Sequence, residues 1–278
     1  MFSFSLLSGI SFTDVDNRTG EILKKYAKEP PHPDVLKVLL SLLDLTSLEG
    51  ADNAASIRKL CSKALSFKEK VLPFPAAVCI YPPFISVAKH ALTNSGIRVA
   101  TTSAAFPSGQ MPLNLKLEEI KYALAEGVDE IDVVISRGTF LENNYHTVYR
   151  ELDAMREITR GRTLKVILET GELGSYENIA KASEIAIEAG ADFIKTSTGK
   201  TFPAATEQAV LVMLEVILSH YRKTGIKTGI KPAGGIADID KAMNYYYLVK
   251  EVLGEEWLNP SLFRLGASRL ADRILELF

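Results

Sequence analysis

Residues 164–197 read LKVILETGELGSYENIAKASEIAIEAGADFIKTS. The opening run, 164–169 (LKVILE), is short, apolar and β-prone. Residues 177–189 (ENIAKASEIAIEA) then carry apolar side chains at helical spacing. A second β-prone run follows at 192–197 (DFIKTS). Strand, helix and strand in that order imply two parallel strands joined by a crossover helix. The same alternation continues in both directions. Downstream, 206–220 (TEQAVLVMLEVILSH) has helical period, and 227–231 (KTGIK) and 262–266 (LFRLG) read as strands. Upstream, the strand-like runs are 41–45 (SLLDL), 77–81 (AVCIY), 97–102 (IRVATT) and 130–135 (EIDVVI). Eight such runs close more naturally into a (β/α)8 TIM barrel than into a doubly wound open sheet, which is the alternative architecture. The barrel is expected over 36–278. Residues 1–35 form an N-terminal extension, with a helix over 19–28 broken by Pro30, Pro31 and Pro33 ahead of a linker at 30–35.

Barrel enzymes gather functional side chains at the C-terminal ends of their strands. Here those ends carry Asp44, Cys79, Asp132, Glu169, Lys195, Lys231 and Ser268. Lys195 and Lys231 lie in apolar strands that are consecutive in the chain, so their ammonium groups can approach each other. Burial and a neighbouring cation both disfavour protonation, and a neutral amine is what attack on a carbonyl requires. Alternatively, each lysine pairs with a buried carboxylate or reaches the barrel rim. Asp132 stands in an otherwise apolar run, where it is either a salt-bridge partner or a proton carrier, and the two are compatible. Pro232-Ala233-Gly234-Gly235 and Gly266-Ala267-Ser268-Arg269 follow strands seven and eight, the usual barrel phosphate site. Gly199-Lys200 after strand six can add to it. These residues do not decide which of the two lysines attacks.

The composition excludes several other classes. Thirty-two basic residues against 34 acidic ones leave no basic excess for nucleic acid. Two cysteines, Cys61 and Cys79, make no disulfide framework, and a cytoplasmic, reducing compartment fits. No apolar run reaches membrane-spanning length, and MFSFSLLSGISF lacks the basic start of a signal peptide. His32, His90, His146 and His220 are scattered without metal-ligand spacing. Thr198-Gly199-Lys200-Thr201 looks like the end of a Walker A loop, but that motif needs glycine where Ile194 stands.

The run from Ala189 to Lys200, AGADFIKTSTGK, resembles the Schiff-base segment of the deoxyribose-phosphate aldolase family. ETGEL at 169–173, KPAGG at 231–235, LDLTSL at 43–48, CIYP at 79–82 and DEIDVV at 129–134 are similar to the same family, so the likeness extends from about residue 36 to the C-terminus. It implies reversible cleavage of 2-deoxy-D-ribose 5-phosphate. Lys195 would be the Schiff-base lysine, Lys231 would lower its pKa, and Asp132 would relay protons. The implied substrate contacts are Asp44, Thr46, Cys79, Thr196, Gly199, Lys200, Gly234, Gly235, Gly266, Ser268 and Arg269. The resemblance implies no metal or organic cofactor. The expected partner is a small phosphorylated sugar, with no nucleic acid or membrane, in a homo-oligomer, first of all a dimer. A transaldolase-like barrel enzyme and a non-catalytic phosphosugar-binding protein are the rival readings. The chain departs from the family pattern in four places. Ile236-Ala237-Asp238 stands where a basic residue often follows Gly-Gly, and Arg269 where many members have a second serine. The 105–109 loop lacks the usual Asn and His, and the final residue is Phe278 where some members end in tyrosine.

Overall fold

The computed structural model describes residues 4–26 and 31–278. Eight strands lie parallel: β1 (Leu43–Thr46), β2 (Ala77–Ile80), β3 (Arg98–Ser103), β4 (Glu130–Val134), β5 (Thr163–Ile167), β6 (Phe193–Lys195), β7 (Gly229–Lys231) and β8 (Leu265–Ala267). Each overlaps one of the eight expected runs. Their order is β7-β6-β5-β4-β3-β2-β1-β8. Parallel bridges Ile230 to Phe263 and Ala233 to Gly266 join β7 to the β8 segment, so the sheet closes on itself as a TIM barrel.

The helices are α1 (Val15–Lys24), α2 (Pro33–Ser41), α3 (Ala54–Ser66), α4 (Ile85–Ala91), α5 (Leu113–Ala125), α6 (Arg137–Leu141), α7 (Tyr145–Ile158), α8 (Tyr176–Glu188), α9 (Glu207–Thr224), α10 (Ile239–Leu253) and α11 (Leu270–Leu275). Several start where the sequence supplies a cap. Ser175, Thr206 and Asp238 each accept a first-turn N–H of α8, α9 and α10, and Asn53 and Ser56 form a reciprocal capping box on α3. Strand side chains alternate. Ile131 and Val133 of β4 join the main apolar cluster, whereas Glu130 and Asp132 enter the charged barrel interior. Ala77, Cys79 and Ala100 form a separate small cluster of apolar groups. Lower in the barrel, Gly229 makes room for the ring of Phe193, which a Cβ would approach to 2.4 Å.

Three expectations near the N-terminus are corrected. The first helix covers Val15–Lys24 rather than 19–28, of which residues 27 and 28 lie outside the described residues. The 30–35 stretch is not all linker, because Pro33 opens α2; Pro30 lies outside the described residues. Proline in a first helical turn has no N–H to lose, and the His32 ring accepts the Asp34 amide at 3.2 Å. Because α2 extends to Ser41, β1 starts at Leu43 rather than at residue 41. The extension before α1 packs on the outside of the barrel. Leu6 is buried, its N–H donates to Glu184 at 2.9 Å, and its carbonyl accepts the Ser219 hydroxyl at 2.7 Å.

Candidate active site

The barrel encloses a charged cluster. Strand register sets Lys195 directly beside Lys231 and Asp132 beside Lys165. Lys195 and Lys231 both donate to Oδ2 of Asp132, at 2.8 and 2.7 Å, and Lys165 donates to its Oδ1 at 2.9 Å. Lys231 also pairs with Asp44, and Lys165 with Glu130. Arg264 closes the lower end, bonding Asp44 at 2.6 Å and Glu130 at 2.7 Å. All seven side chains are buried. Ionised groups persist in such a place only when each has opposite charge within bonding distance.

The charges balance without Lys195. Asp44, Glu130 and Asp132 supply the negative side; Lys165, Lys231 and Arg264 neutralise it. Arg98, half-exposed at the edge, adds a further guanidinium on Glu130 at 2.9 Å. A protonated Lys195 would therefore be a surplus buried cation. Its pKa is accordingly lowered, chiefly by burial and then by Lys231, against the pull of Asp132. Lys231 goes the other way. Burial lowers its pKa, but Asp132 and Asp44 outweigh that and hold it protonated well above the ordinary lysine range. Asp132 is kept well below the usual carboxylate range because its three lysines outweigh the cost of burial. Two lysines sharing one carboxylate oxygen thus differ sharply in proton affinity. Cys79 lies beside them, and burial pushes its thiol up, away from the nucleophilic thiolate.

Above Lys195 opens a pocket of about 160 Å³, bounded by the loops after β1, β6, β7 and β8. Backbone makes up much of its far side. Gly234 has φ +87°, and a Cβ there would meet Ala204 Cβ at 2.7 Å and Gly199 Cα at 3.0 Å. At Gly266 a Cβ would meet that of Ala233 at 2.7 Å. Only glycine lets these strands approach so closely while leaving space for an anion. Glu169 steadies the β6 loop from below. Its buried carboxylate accepts both the amide and the hydroxyl of Thr198, and Thr198 Oγ1 in turn accepts the Lys200 amide at 3.1 Å.

The expected site residues fall into three groups. Lys195, Thr46, Gly199, Lys200, Gly234, Gly235, Gly266, Ser268 and Arg269 line the pocket. Asp44, Cys79, Asp132 and Lys231 lie in the barrel interior. Thr196 faces elsewhere; its hydroxyl donates to the Ala233 carbonyl and accepts the Ala233 amide, tying β6 to the loop after β7. Sequence reasoning missed Lys165, Glu130 and Arg264. The signal was present, because Glu130 stands two residues before Asp132 and therefore on the same strand face. Lys165 and Arg264 were likewise charged residues inside strand-like runs.

Residues 38–246 match the model of the DeoC/LacD family aldolases. The chain belongs to this family. Human deoxyribose-phosphate aldolase is 44% identical over 248 residues, which is 84% of this chain and 78% of the human protein. Among solved structures of the family's fold, the aldolase QR15 superimposes with a TM-score of 0.70 at 26% identity, covering 86% of this chain and 96% of its own. The deoxyribose phosphate aldolase of Aeropyrum pernix shares the fold, with a TM-score of 0.68 at 23% identity over 96% of this chain and 97% of that one.

Proposed function

We propose that this chain cleaves 2-deoxy-D-ribose 5-phosphate reversibly to acetaldehyde and D-glyceraldehyde 3-phosphate through a Schiff base on Lys195. The observation that carries the reading is a buried lysine of lowered pKa beneath a pocket with a glycine- and cation-lined rim. The relatives' activity supports it. The neutral Lys195 amine attacks C1 of the open-chain sugar, and loss of water gives a protonated imine. Removal of the C3 hydroxyl proton lets the C2–C3 bond break. C3 becomes the aldehyde of the three-carbon phosphate, and the bonding pair flows into the imine to leave an enamine. Protonation at C2 and hydrolysis release acetaldehyde and restore the lysine. Asp132, whose Oδ2 touches both lysines, accepts and returns protons, through water to the substrate. Lys231 stays charged and keeps Lys195 neutral.

The phosphate is assigned to the rim formed by Gly199, Lys200, Gly234, Gly235, Gly266 and Ser268, with Arg269 at its outer edge. Thr46 faces the sugar, while Asp44, Cys79 and Thr196 support the floor and the loops. The catalytic unit is assigned to 36–278, with 1–35 as an extension. We also assign a homodimer. Met111, Leu115 and Tyr122 are over two-fifths exposed at and along α5, and sedimentation would test the assembly. Both cysteines are buried and unpaired, which suits a reducing cytoplasm. Among the described residues no helix is long and apolar enough to cross a membrane. The test of the reaction is turnover of 2-deoxyribose 5-phosphate with both products measured. Release of acetaldehyde and the triose phosphate in equal amounts is expected. Transfer of a carbon fragment to an added aldehyde with no acetaldehyde released in its absence, or binding without cleavage, would overturn it.

A further inference from the structure

After Gly234-Gly235 the loop reads Ile236-Ala237-Asp238, none of which is a cation. In the first turn of α10, however, Lys241 folds back over the loop. Its ammonium nitrogen lies 3.8 Å from the position a Gly235 Cβ would occupy. Gly235 has φ +72° and lines the pocket, with Gly234 and Ile236 on either side. Among the described residues the amides of Gly234 and Gly235 donate to no protein acceptor, so both are available to an anion.

Of the cations that line the pocket itself, Lys195 is at the floor, Arg269 stands on the β8 side and Lys200 follows β6. Lys200 is paired with Glu49 at 3.1 Å, a carboxylate that also lines the pocket. No carboxylate among the described residues pairs with Lys241. Asp238 caps α10 by accepting the Lys241 backbone amide at 2.8 Å, and neither it nor Asp240, the acid of the first turn, pairs with the Lys241 ammonium. An unpaired ammonium close to the Gly235 backbone, in a loop with two free amides, suits a doubly charged phosphate group, since charged hydrogen bonds are the strong ones.

The geometry points to Lys241 as the phosphate-binding cation on the β7 side of the pocket, replacing from α10 the charge that the loop after Gly-Gly lacks. This deepens the function proposed above and rests on it. Lys241 would set the preference for a phosphorylated over a plain sugar, without touching the reacting carbons.

The experiment compares the parent with Lys241→Gln, Lys241→Arg and the double variant Lys241→Gln with Ala237→Arg, each on 2-deoxyribose 5-phosphate and on 2-deoxyribose. The quantity read is the ratio of kcat/KM on the two sugars. Lys241→Gln should lower that ratio about tenfold, mainly through KM for the phosphorylated sugar. Lys241→Arg should keep most of it, and Ala237→Arg should recover much of what Lys241→Gln loses. If the parent cleaves the phosphorylated sugar and Lys241→Gln leaves the ratio unchanged, or lowers both substrates equally, the assignment of Lys241 is wrong and the reaction stands. If the parent cleaves neither sugar, the proposed function itself fails, and the assignment with it.

Discussion

Replacing Lys231 with methionine removes one charge from the cluster while filling most of its volume. Both lysine nitrogens bond the same Asp132 oxygen, at 2.8 and 2.7 Å, so they are no more than about 5.5 Å apart. At an effective dielectric of about 20, two unit charges at that distance repel by about 3 kcal/mol. That corresponds to about two pH units in the proton affinity of Lys195. Removing Lys231 also leaves the carboxylates one cation short, which Lys195 supplies by taking up a proton. The sign follows directly. The Lys195 pKa, lowered in the parent, rises, and the neutral amine becomes scarce at pH 7. The acid limb of the kcat/KM profile should move up by about two pH units, and turnover on that limb should fall by about a hundredfold. The assay is steady-state cleavage of 2-deoxyribose 5-phosphate from pH 5 to pH 10, with circular dichroism to confirm folding. Activity should recover as pH rises. A loss of the same size at every pH, with the acid limb unmoved, would refute the electrostatic coupling and reduce Lys231 to a packing or substrate-contact role.

Asp132→Asn should lower kcat about 10²- to 10⁴-fold and slow deuterium exchange into the methyl group of acetaldehyde, because the shared proton acceptor is gone. Near-normal exchange would make Asp132 structural. Gly171→Ala places a Cβ 1.9 Å from the Pro203 carbonyl oxygen, so the two loops must part. A destabilisation of about 1–3 kcal/mol is expected, visible as a Tm several degrees lower; an unchanged Tm would contradict the close approach. Glu184 receives the Leu6 amide of the extension, and burial pushes its carboxyl up to about 7, with Glu188 adding to the effect. A carboxyl with a raised folded pKa contributes stability that is full below its ordinary value and fades as pH rises through 7. Glu184→Gln should therefore shrink the fall in Tm between pH 5 and pH 8, and an unaltered fall would exclude Glu184 as its source.

The strands were legible because each is a short apolar run between turn residues, and a strand's existence depends mainly on local pattern. Lys195, Lys231 and Asp132 stood out for the opposite reason, as charges inside such runs. Their distances were not legible. Asp132 reaches both lysines because β4, β5, β6 and β7 are staggered round a closed barrel, and stagger is a property of pairing rather than of any one strand. Arg264 escaped notice because its partners, Asp44 and Glu130, are 220 and 134 residues away in the chain. From sequence alone Pro33 reads as a breaker, since its tolerance in a first turn depends on where the helix begins. Lys241 was invisible from the motif after Gly-Gly because the α10 backbone, rather than sequence adjacency, returns its ammonium to that loop.

The central claim is that Lys195 is the amine that bonds to the substrate carbon. Borohydride reduction of the protein in the presence of acetaldehyde, followed by digestion and mass mapping, tests it most directly. The imine, once reduced, becomes a stable ethyl group on one lysine nitrogen. The account predicts that this ethyl group appears on the peptide containing Lys195 and that activity is lost in proportion. Labelling of Lys231 or Lys165 instead, or inactivation with no modified lysine, would contradict it.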